Sequence, residues 1–258
     1  MTDATHGELA APGARSILRH LLRADATVLV KNVRSLVLSI LLPIVLLLTT
    51  NHPRAEFRLG GSLLIVGLCV TYGLMSTSLL GYANTVARDR ERGVFQRLRV
   101  TPAPSWTIMS SRLAVQMVAN LLIALVVLIV GVRIHHLDVS FSQYLLTLAV
   151  SVLGGAMFLG IGQTLVGLVR SADAVNAAGR LLYISLIFLG LLGLEGILGS
   201  TFQSIAKWSP VGVLMTAYAG VLHTAAWTTT DTLAVVSCVG YLIAGTAAGI
   251  VWFRWDPR

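Results

Sequence analysis

Charged residues are scarce in this chain, and their scarcity excludes an ordinary soluble protein. Asp, Glu, Lys and Arg make up 12% of the 258 residues, about half of the roughly 25% found in a typical soluble domain. Hydrophobic residues make up 55%. This composition indicates an integral membrane protein. Because one span takes roughly 20 apolar residues, the chain has room for about six spans and for no large soluble domain.

Lysine and cysteine are also rare, which limits the chemistry of the chain. The two lysines, Lys31 and Lys207, do not follow the glycine spacing that cradles phosphates in a P-loop. The two cysteines, Cys69 and Cys238, lie inside apolar runs, where thiols usually behave as small hydrophobes. We therefore expect neither ATP hydrolysis through a P-loop nor a disulfide framework, and we predict no cofactor bound by this chain.

Patterns typical of catalytic and metal sites are absent as well. His135 and His136 are adjacent, so they point to different sides of a helix rather than to one metal ion. No glycine-serine-glycine nucleophile elbow occurs. We predict no catalytic residues and no metal ligands.

Six long apolar runs dominate the sequence. Within lipid, a run of this length satisfies its backbone polar groups internally only as a helix. The runs lie at about residues 35–50, 61–86, 106–132, 142–169, 181–200 and 232–253. The sequence therefore predicts an all-α membrane protein with a six-span transmembrane domain over residues 35–258.

A basic segment at residues 15–34 precedes the first run. Its apolar residues gather on one face, which predicts an amphipathic helix that lies along an anionic membrane surface. The alternative is the ordinary basic flank of a first span, because Asp25 interrupts the apolar face. We expect residues 1–14 to form a flexible tail. The cations that share the opposite face are Arg15, Arg19, Arg23 and Lys31.

The distribution of lysine and arginine predicts the orientation. Fifteen of the nineteen fall on one side of the predicted spans, together with both termini, and by the positive-inside rule that side is cytoplasmic. Topology thus explains the excess of positive charge, so the lipid bilayer is a predicted partner and nucleic acid is not. We expect a multi-pass protein of the cell membrane. The four residues on the outer side are Arg54, Arg58, Arg133 and Lys207.

The connection at residues 201–231 is too apolar for a free loop. Lys207 and Pro210 break it into pieces too short to cross a bilayer. We predict one or two half-buried or re-entrant helices on the outer side, a form tolerated where protein or a water-filled cavity covers the backbone. A seventh span is the alternative, and it would put the C-terminus outside.

A few polar residues lie within the predicted spans. Glu195 has apolar neighbours on both sides, and it either acts in substrate passage or gating or simply reaches water at the outer end of span five. Gln116, Asn120 and Gln163 either form hydrogen bonds between helices, the commoner use of such groups, or line a translocation pathway.

The stretch from Arg88 to Arg112, between the second and third runs, carries six of the nineteen cations and must lie in water or against protein. Within it stand Arg90-Glu91-Arg92-Gly93, then Arg97-Leu98 and Thr101-Pro102. This pattern resembles the cytoplasmic signature of the membrane (permease) subunits of type-2 ABC exporters, a family that includes drug, lipid and polysaccharide exporters. The likeness in helix order extends across nearly the whole chain.

The resemblance implies a coupling helix within residues 88–105 that docks on a separate ATP-binding subunit, which binds ATP and Mg²⁺. It also implies a second membrane subunit, identical or paralogous, and export of a hydrophobic or amphipathic substrate such as a drug, a lipid or a glycan-lipid. Residues 170–180 form a second, weaker candidate contact. Carried over by position, the coupling residues are Glu91, Arg92, Gly93, Val94, Phe95, Leu98 and Arg99.

Two other functions remain open from the sequence. A membrane-embedded lipid-modifying enzyme would need convergent acids or histidines at one face of the bilayer, and the predicted cytoplasmic acids show no catalytic spacing. A resistance or assembly factor that does not transport would share the same architecture. An ATPase with a P-loop encoded beside this chain would favour the transporter over both.

Overall fold

A computed structural model describes residues 14–31, 33–51, 61–99, 105–195, 199–222 and 227–252, and all regular secondary structure in these ranges is helical. In chain order the elements are α1 (Ala14–Lys31), α2 (Val33–Thr49), α3 (Ser62–Met75), a π-helical segment (Ser76–Tyr82, the π segment), α4 (Ala83–Glu91), α5 (Val94–Arg99), α6 (Ser105–Ile134), α7 (Phe141–Leu168), α8 (Ala172–Glu195), α9 (Ser200–Trp208), α10 (Pro210–Leu222) and α11 (Thr229–Trp252).

Among the described residues, five helices are long and apolar enough to cross a membrane, or six if α9 and α10 together count as one bent span. The predicted all-α membrane fold is confirmed at this level. The five are Ser62–Glu91, Thr107–Ile134, Phe141–Leu168, Ala172–Gly193 and Thr229–Trp252.

The first predicted span, at residues 35–50, corresponds to the shorter helix α2. Its 17 residues extend for about 25 Å, less than the roughly 30 Å thickness of a hydrocarbon core. Leu47 is fully buried in the main apolar core, whereas Leu41 and Leu48 are exposed. α2 therefore packs on the bundle through one side only.

The predicted amphipathic segment at residues 15–34 is divided between two helices. α1 ends at Lys31 and α2 begins at Val33, so Arg34 belongs to α2. Asp25, the residue that interrupts the apolar face of α1, contacts α6, where the Ser111 hydroxyl donates a hydrogen bond to its carboxylate. Residues 1–13, which hold most of the predicted tail, lie outside the described ranges.

Helices α9 and α10 meet at a bend of 77°. Pro210 has no backbone N–H to continue a helix, and the Ser209 hydroxyl donates to the carbonyl of Ala206 while accepting from the N–H of Gly212. The 13 residues of α10 extend for only about 20 Å, too short to span alone. This broken pair lies where the sequence predicts half-buried or re-entrant helices.

The fifth predicted span, at residues 181–200, begins earlier than the sequence indicates. α8 starts at Ala172, so most of the predicted connection at residues 170–180 is helical. Asp173 lies in its first turn, where a negative charge favours the positive end of the helix dipole. The connection between α7 and α8 is therefore short.

Candidate functional site

The π segment interrupts the spanning helix Ser62–Glu91 near its middle. The N–H of Ala83, which follows the segment, donates to the carbonyl of Ser78, five residues earlier. This wider turn is rare in proteins and is found frequently at functional sites. It shifts the register of the helix, so the carbonyls of the segment face the neighbouring helices differently from those of a regular α-helix.

Three polar residues predicted from the sequence lie against the π segment. Asn120 on α6 is fully buried; it donates to the Ser78 hydroxyl over 3.3 Å and accepts a hydrogen bond from the Thr77 hydroxyl. Gln116 donates to the Thr77 carbonyl over 3.4 Å. Gln163 on α7 accepts from the Tyr82 hydroxyl over 2.7 Å. All three therefore join helices, as the commoner use of such residues predicts.

Two glycines let α7 and α8 approach the π segment closely. A Cβ atom on Gly162 would lie 2.9 Å from the carbonyl oxygen of Ser78, and a Cβ on Gly179 would lie 3.0 Å from that of Leu79. Both atoms that block a larger residue belong to the backbone, which cannot rotate away. The π segment is thus enclosed by three helices.

Arg90 caps the C-terminal end of α7. Its Nη1 donates to the carbonyl of Val166, and its Nη2 donates to those of Val169 and Arg170, each over 2.7 Å. The last carbonyls of a helix lack partners within the helix and carry the negative end of its dipole. A guanidinium, with several donors in one plane, satisfies them well. Arg90 is 5% exposed.

Glu91 binds the beginning of the next helix. Its Oε1 accepts a hydrogen bond of 2.5 Å from the N–H of Ala172, the first residue of α8. A carboxylate at a helix N-terminus complements the positive end of the dipole. Arg90 and Glu91 together form what we term the Arg90–Glu91 clamp, which holds both ends of the α7–α8 connection.

Phe95, one of the predicted coupling residues, has its ring buried in the bundle, and its predicted contact with a partner stays a prediction. The side chain is 1% exposed and packs in a second apolar cluster with Tyr82, Val86 and Val166. The cause is the turn at Gly93, where φ is +68°. This left-handed conformation suits glycine, and the turn folds α5 back onto its own bundle.

The remaining predicted coupling residues differ in exposure. Arg92 is exposed, whereas Gly93 and Val94 are half-buried. Gln96 and Arg97, which are not in the predicted set, are also exposed on α5. The side chains of Leu98 and Arg99, and all of residues 100–104 of the predicted coupling segment, lie outside the described part of the chain.

A network of charges lies beside this turn. Arg112 on α6 forms an ion pair of 2.6 Å with Asp89, and its Cζ lies 4.9 Å from the centre of the Phe95 ring. A second carboxylate that interacts with Arg112 belongs to Asp25 of α1. Burial raises the pKa of Asp25 above its ordinary value, while the hydrogen bond from Ser111 and the charge of Arg112 oppose that rise.

A cavity of about 390 Å³ extends from this charge network to the π segment. It lies among α1, α2, α4, α5, α6 and the π segment. Gln116 lines this cavity as well as donating to the Thr77 carbonyl, and its predicted role in a translocation pathway stays a prediction. The lining side chains include Asp25, Val28, Ser39, Thr77, Tyr82, Arg88, Asp89, Arg92, Arg112, Val115 and Gln116.

Glu195 is the last residue of α8, and its side chain lies outside the described part of the chain, so its predicted role in gating stays a prediction. Arg90, by contrast, stands in the signature quoted from the sequence but is not among the predicted coupling residues, and the sequence predicted no role for it as a helix cap. The sequence around Arg90 gives only a weak indication of a capping role, namely a cation next to an acid at the end of a long apolar run. Which carbonyls it would bind depends on tertiary packing alone.

Two comparisons with known proteins bear on this site. The family model described as "ABC-2 type transporter" matches residues 13–223. That range includes the π segment, the Arg90–Glu91 clamp and the cavity. The chain is also 24% identical over 140 residues to a Bacillus subtilis (strain 168) protein described as "Putative transport permease YvfS". The match covers 54% of this chain and 57% of that relative, so it spans little more than half of either protein.

Proposed function

Because this chain belongs to the ABC-2 type transporter family, whose members are membrane components of transporters, we propose that it is the permease subunit of an ATP-driven exporter. A separate ATP-binding subunit docks at the turn between α4 and α5 and supplies ATP and Mg²⁺. The substrate is hydrophobic or amphipathic, such as a drug, a lipid or a glycan-lipid, and it moves out of the cytoplasm or the inner leaflet.

The observation that carries this proposal is the Arg90–Glu91 clamp. The clamp fastens the α4–α5 turn to the end of α7 and to the start of α8. A force applied to the turn therefore moves three helices together rather than bending one loop. Such rigid coupling is what a docking partner needs in order to transmit its own closure into the membrane.

Movement of the turn can be transmitted along the spanning helix Ser62–Glu91, because this helix is continuous. α4 runs directly into the π segment and then into α3, without a break in helical backbone from Ser62 to Glu91. The π segment in turn bonds to α6 through Asn120 and to α7 through Gln163. We infer that movement of the turn reaches the middle of the bundle through this helix.

The docking surface is formed by the exposed residues of the turn and of α5, namely Arg92, Gln96 and Arg97. The positive-inside rule puts this end of the bundle, and both termini, in the cytoplasm. A second membrane subunit, either a copy of this chain or a paralogue, completes the translocation path. The ring of Phe95, a coupling residue predicted from the sequence, packs in an apolar cluster of the same chain.

A co-purification experiment tests the docking surface. The chain is expressed with the P-loop ATPase encoded nearest to it, and the charge-reversal variant Arg97→Glu is compared with Arg133→Glu. Arg133 is also exposed, but it lies at the opposite end of α6. We expect Arg97→Glu to reduce recovery of the ATPase by roughly tenfold, as loss of a close interfacial charge pair does, and Arg133→Glu to leave it unchanged. Equal recovery with both variants would remove α5 from the docking surface.

A further inference from the structure

The cavity beside the charge network has the size and lining of a ligand site. Its volume of about 390 Å³ falls within the range of roughly 300–1,000 Å³ that is usual for small-molecule pockets. The lining comes from α1, α2, the π segment, α4, α5, α6 and the turn between α4 and α5.

Two of the arginines that line the cavity form no ion pair among the described residues. Of its three arginines, Arg112 is paired with Asp89. Among the described residues, neither Arg88 nor Arg92 has a side-chain hydrogen bond or an ion pair, and both are exposed. The remaining acid, Asp25, accepts a hydrogen bond from the Ser111 hydroxyl and forms no ion pair with either of them among the described residues. An anionic group is therefore the natural partner for Arg88 and Arg92.

Apolar side chains lie next to these cations within the same cavity. Val28, Val86, Val94 and Val115 all line it, and Val28 is 57% exposed. Val28 lies on α1, ahead of the spanning helices, so the apolar part of the lining continues to the outer surface of the bundle. A soluble anion would leave this apolar lining against water, whereas an acyl chain would cover it.

We propose that this cavity binds an anionic lipid of the membrane, with the phosphate headgroup at Arg88 and Arg92 and the start of an acyl chain against Val28 and Val115. This binding site goes beyond the proposed transport function and depends on it only for the leaflet, which is the cytoplasmic one. The site belongs to the single chain, so lipid binding can be measured without the ATPase; Arg92 is the residue that it shares with the proposed docking surface.

Gly81 provides a way to fill the cavity without altering its charge. It lies in the π segment and lines the cavity, and a Cβ atom added to it meets no atom within 4 Å. Gly240 on α11 is a matched control, since a Cβ atom there also meets open space and Gly240 does not line this cavity. Gly81→Phe and Gly240→Phe therefore both start from a position where the Cβ atom meets open space, and of the two only Gly81 lines the cavity.

Native mass spectrometry of the purified full-length chain in detergent, with no ATPase present, tests the site. Binding of phosphatidylglycerol is compared with binding of phosphatidylcholine, and inorganic phosphate is added as a competitor. We expect a preference for phosphatidylglycerol that falls by about 25-fold in the Arg88→Gln, Arg92→Gln double variant, since each arginine near an anionic lipid contributes roughly fivefold. Gly81→Phe is expected to abolish the preference.

Two controls complete the design. The Arg170→Gln, Arg180→Gln double variant removes the same charge from two exposed arginines outside the cavity, and it and Gly240→Phe should keep the preference. Equal loss in both double variants, or an unchanged preference in Gly81→Phe, overturns the assignment. Displacement of the lipid by millimolar inorganic phosphate also overturns it, because the ligand would then be a soluble anion. Because no ATPase is involved, failure here leaves the docking proposal untouched.

Discussion

Arg90 and Glu91 are neighbours in the chain, yet they bind the ends of two different helices. The guanidinium of Arg90 donates to three carbonyls at the end of α7, and the carboxylate of Glu91 accepts the first N–H of α8. Each charge faces the helix end of opposite polarity. Two adjacent residues of opposite sign thus fix the angle and spacing of a short interhelical connection.

Removing the guanidinium of Arg90 should destabilise the isolated subunit strongly. In Arg90→Ala, three carbonyls lose their charged donor in a buried site, and we expect a loss of about 2–4 kcal/mol. Thermal unfolding in detergent measures the effect. The exposed Arg133→Ala serves as the control and should change stability by less than about 0.5 kcal/mol. Matching melting curves for the two variants would contradict the clamp.

Glu91 should act as a cap on α8 in the absence of any partner. We expect Glu91→Ala to cost about 1 kcal/mol, as the loss of other N-terminal caps does. Glu91→Gln keeps an acceptor and should cost less. Hydrogen exchange of the first turn of α8, beginning at Ala172, should quicken in Glu91→Ala. If exchange changes only when the ATPase is bound, Glu91 serves the interface and not the helix.

Replacement of Phe95 should impair the fold of the subunit before it affects docking. Phe95→Ala removes a buried ring, and the expected cost is about 3–5 kcal/mol. Val94→Ala, at the half-buried neighbour, is the comparison and should cost much less. The measurement is the yield and melting temperature of the subunit expressed alone. A normally folded Phe95→Ala subunit that fails only to bind the ATPase would instead support Phe95 as a docking residue.

The two glycines against the π segment should tolerate no side chain. In Gly162→Ala or Gly179→Ala the new methyl group would meet a backbone carbonyl oxygen of the π segment, and overpacking of this kind costs about 1–3 kcal/mol. Gly240→Ala has open space at the same atom and should be neutral. Unfolding of the three variants in one detergent distinguishes them. Equal stability of all three would mean that the helices are less closely packed.

The contact between α1 and α6 should weaken as the pH rises. Burial raises the pKa of Asp25 in the folded chain. The stabilisation of the fold that results from this higher pKa is fully present below the unfolded pKa of about 3.8. It is lost as the pH rises through the higher folded value. Asp25→Asn should therefore melt at a higher temperature than the natural chain at pH 7, with the difference shrinking towards pH 4. A difference that is constant with pH would contradict this reading.

The polar residues within the spans illustrate what pattern alone predicts well. Gln116, Asn120 and Gln163 stand out because an amide in lipid needs a partner, and each does bond to a neighbouring element. Their common target, the π segment, has no local mark in the sequence Ser76–Tyr82. A π turn depends on the packing of several helices at once, so the apolar periodicity of a single helix does not predict it.

The apolar runs and the sparse charge by themselves determined the fold class, most of the spanning helices and the broken pair near Pro210. Lipid leaves the backbone no alternative to helix, so long runs suffice for that conclusion. Only the tertiary structure decided which charged residues face inward. Arg90 and Phe95 are buried, whereas Arg92 and Arg97 in the same charged stretch are exposed. The turn at Gly93 directs Phe95 into the bundle, and the nearby end of α7 binds Arg90. The direction of a side chain depends on what packs against it, and those neighbours are distant in the chain.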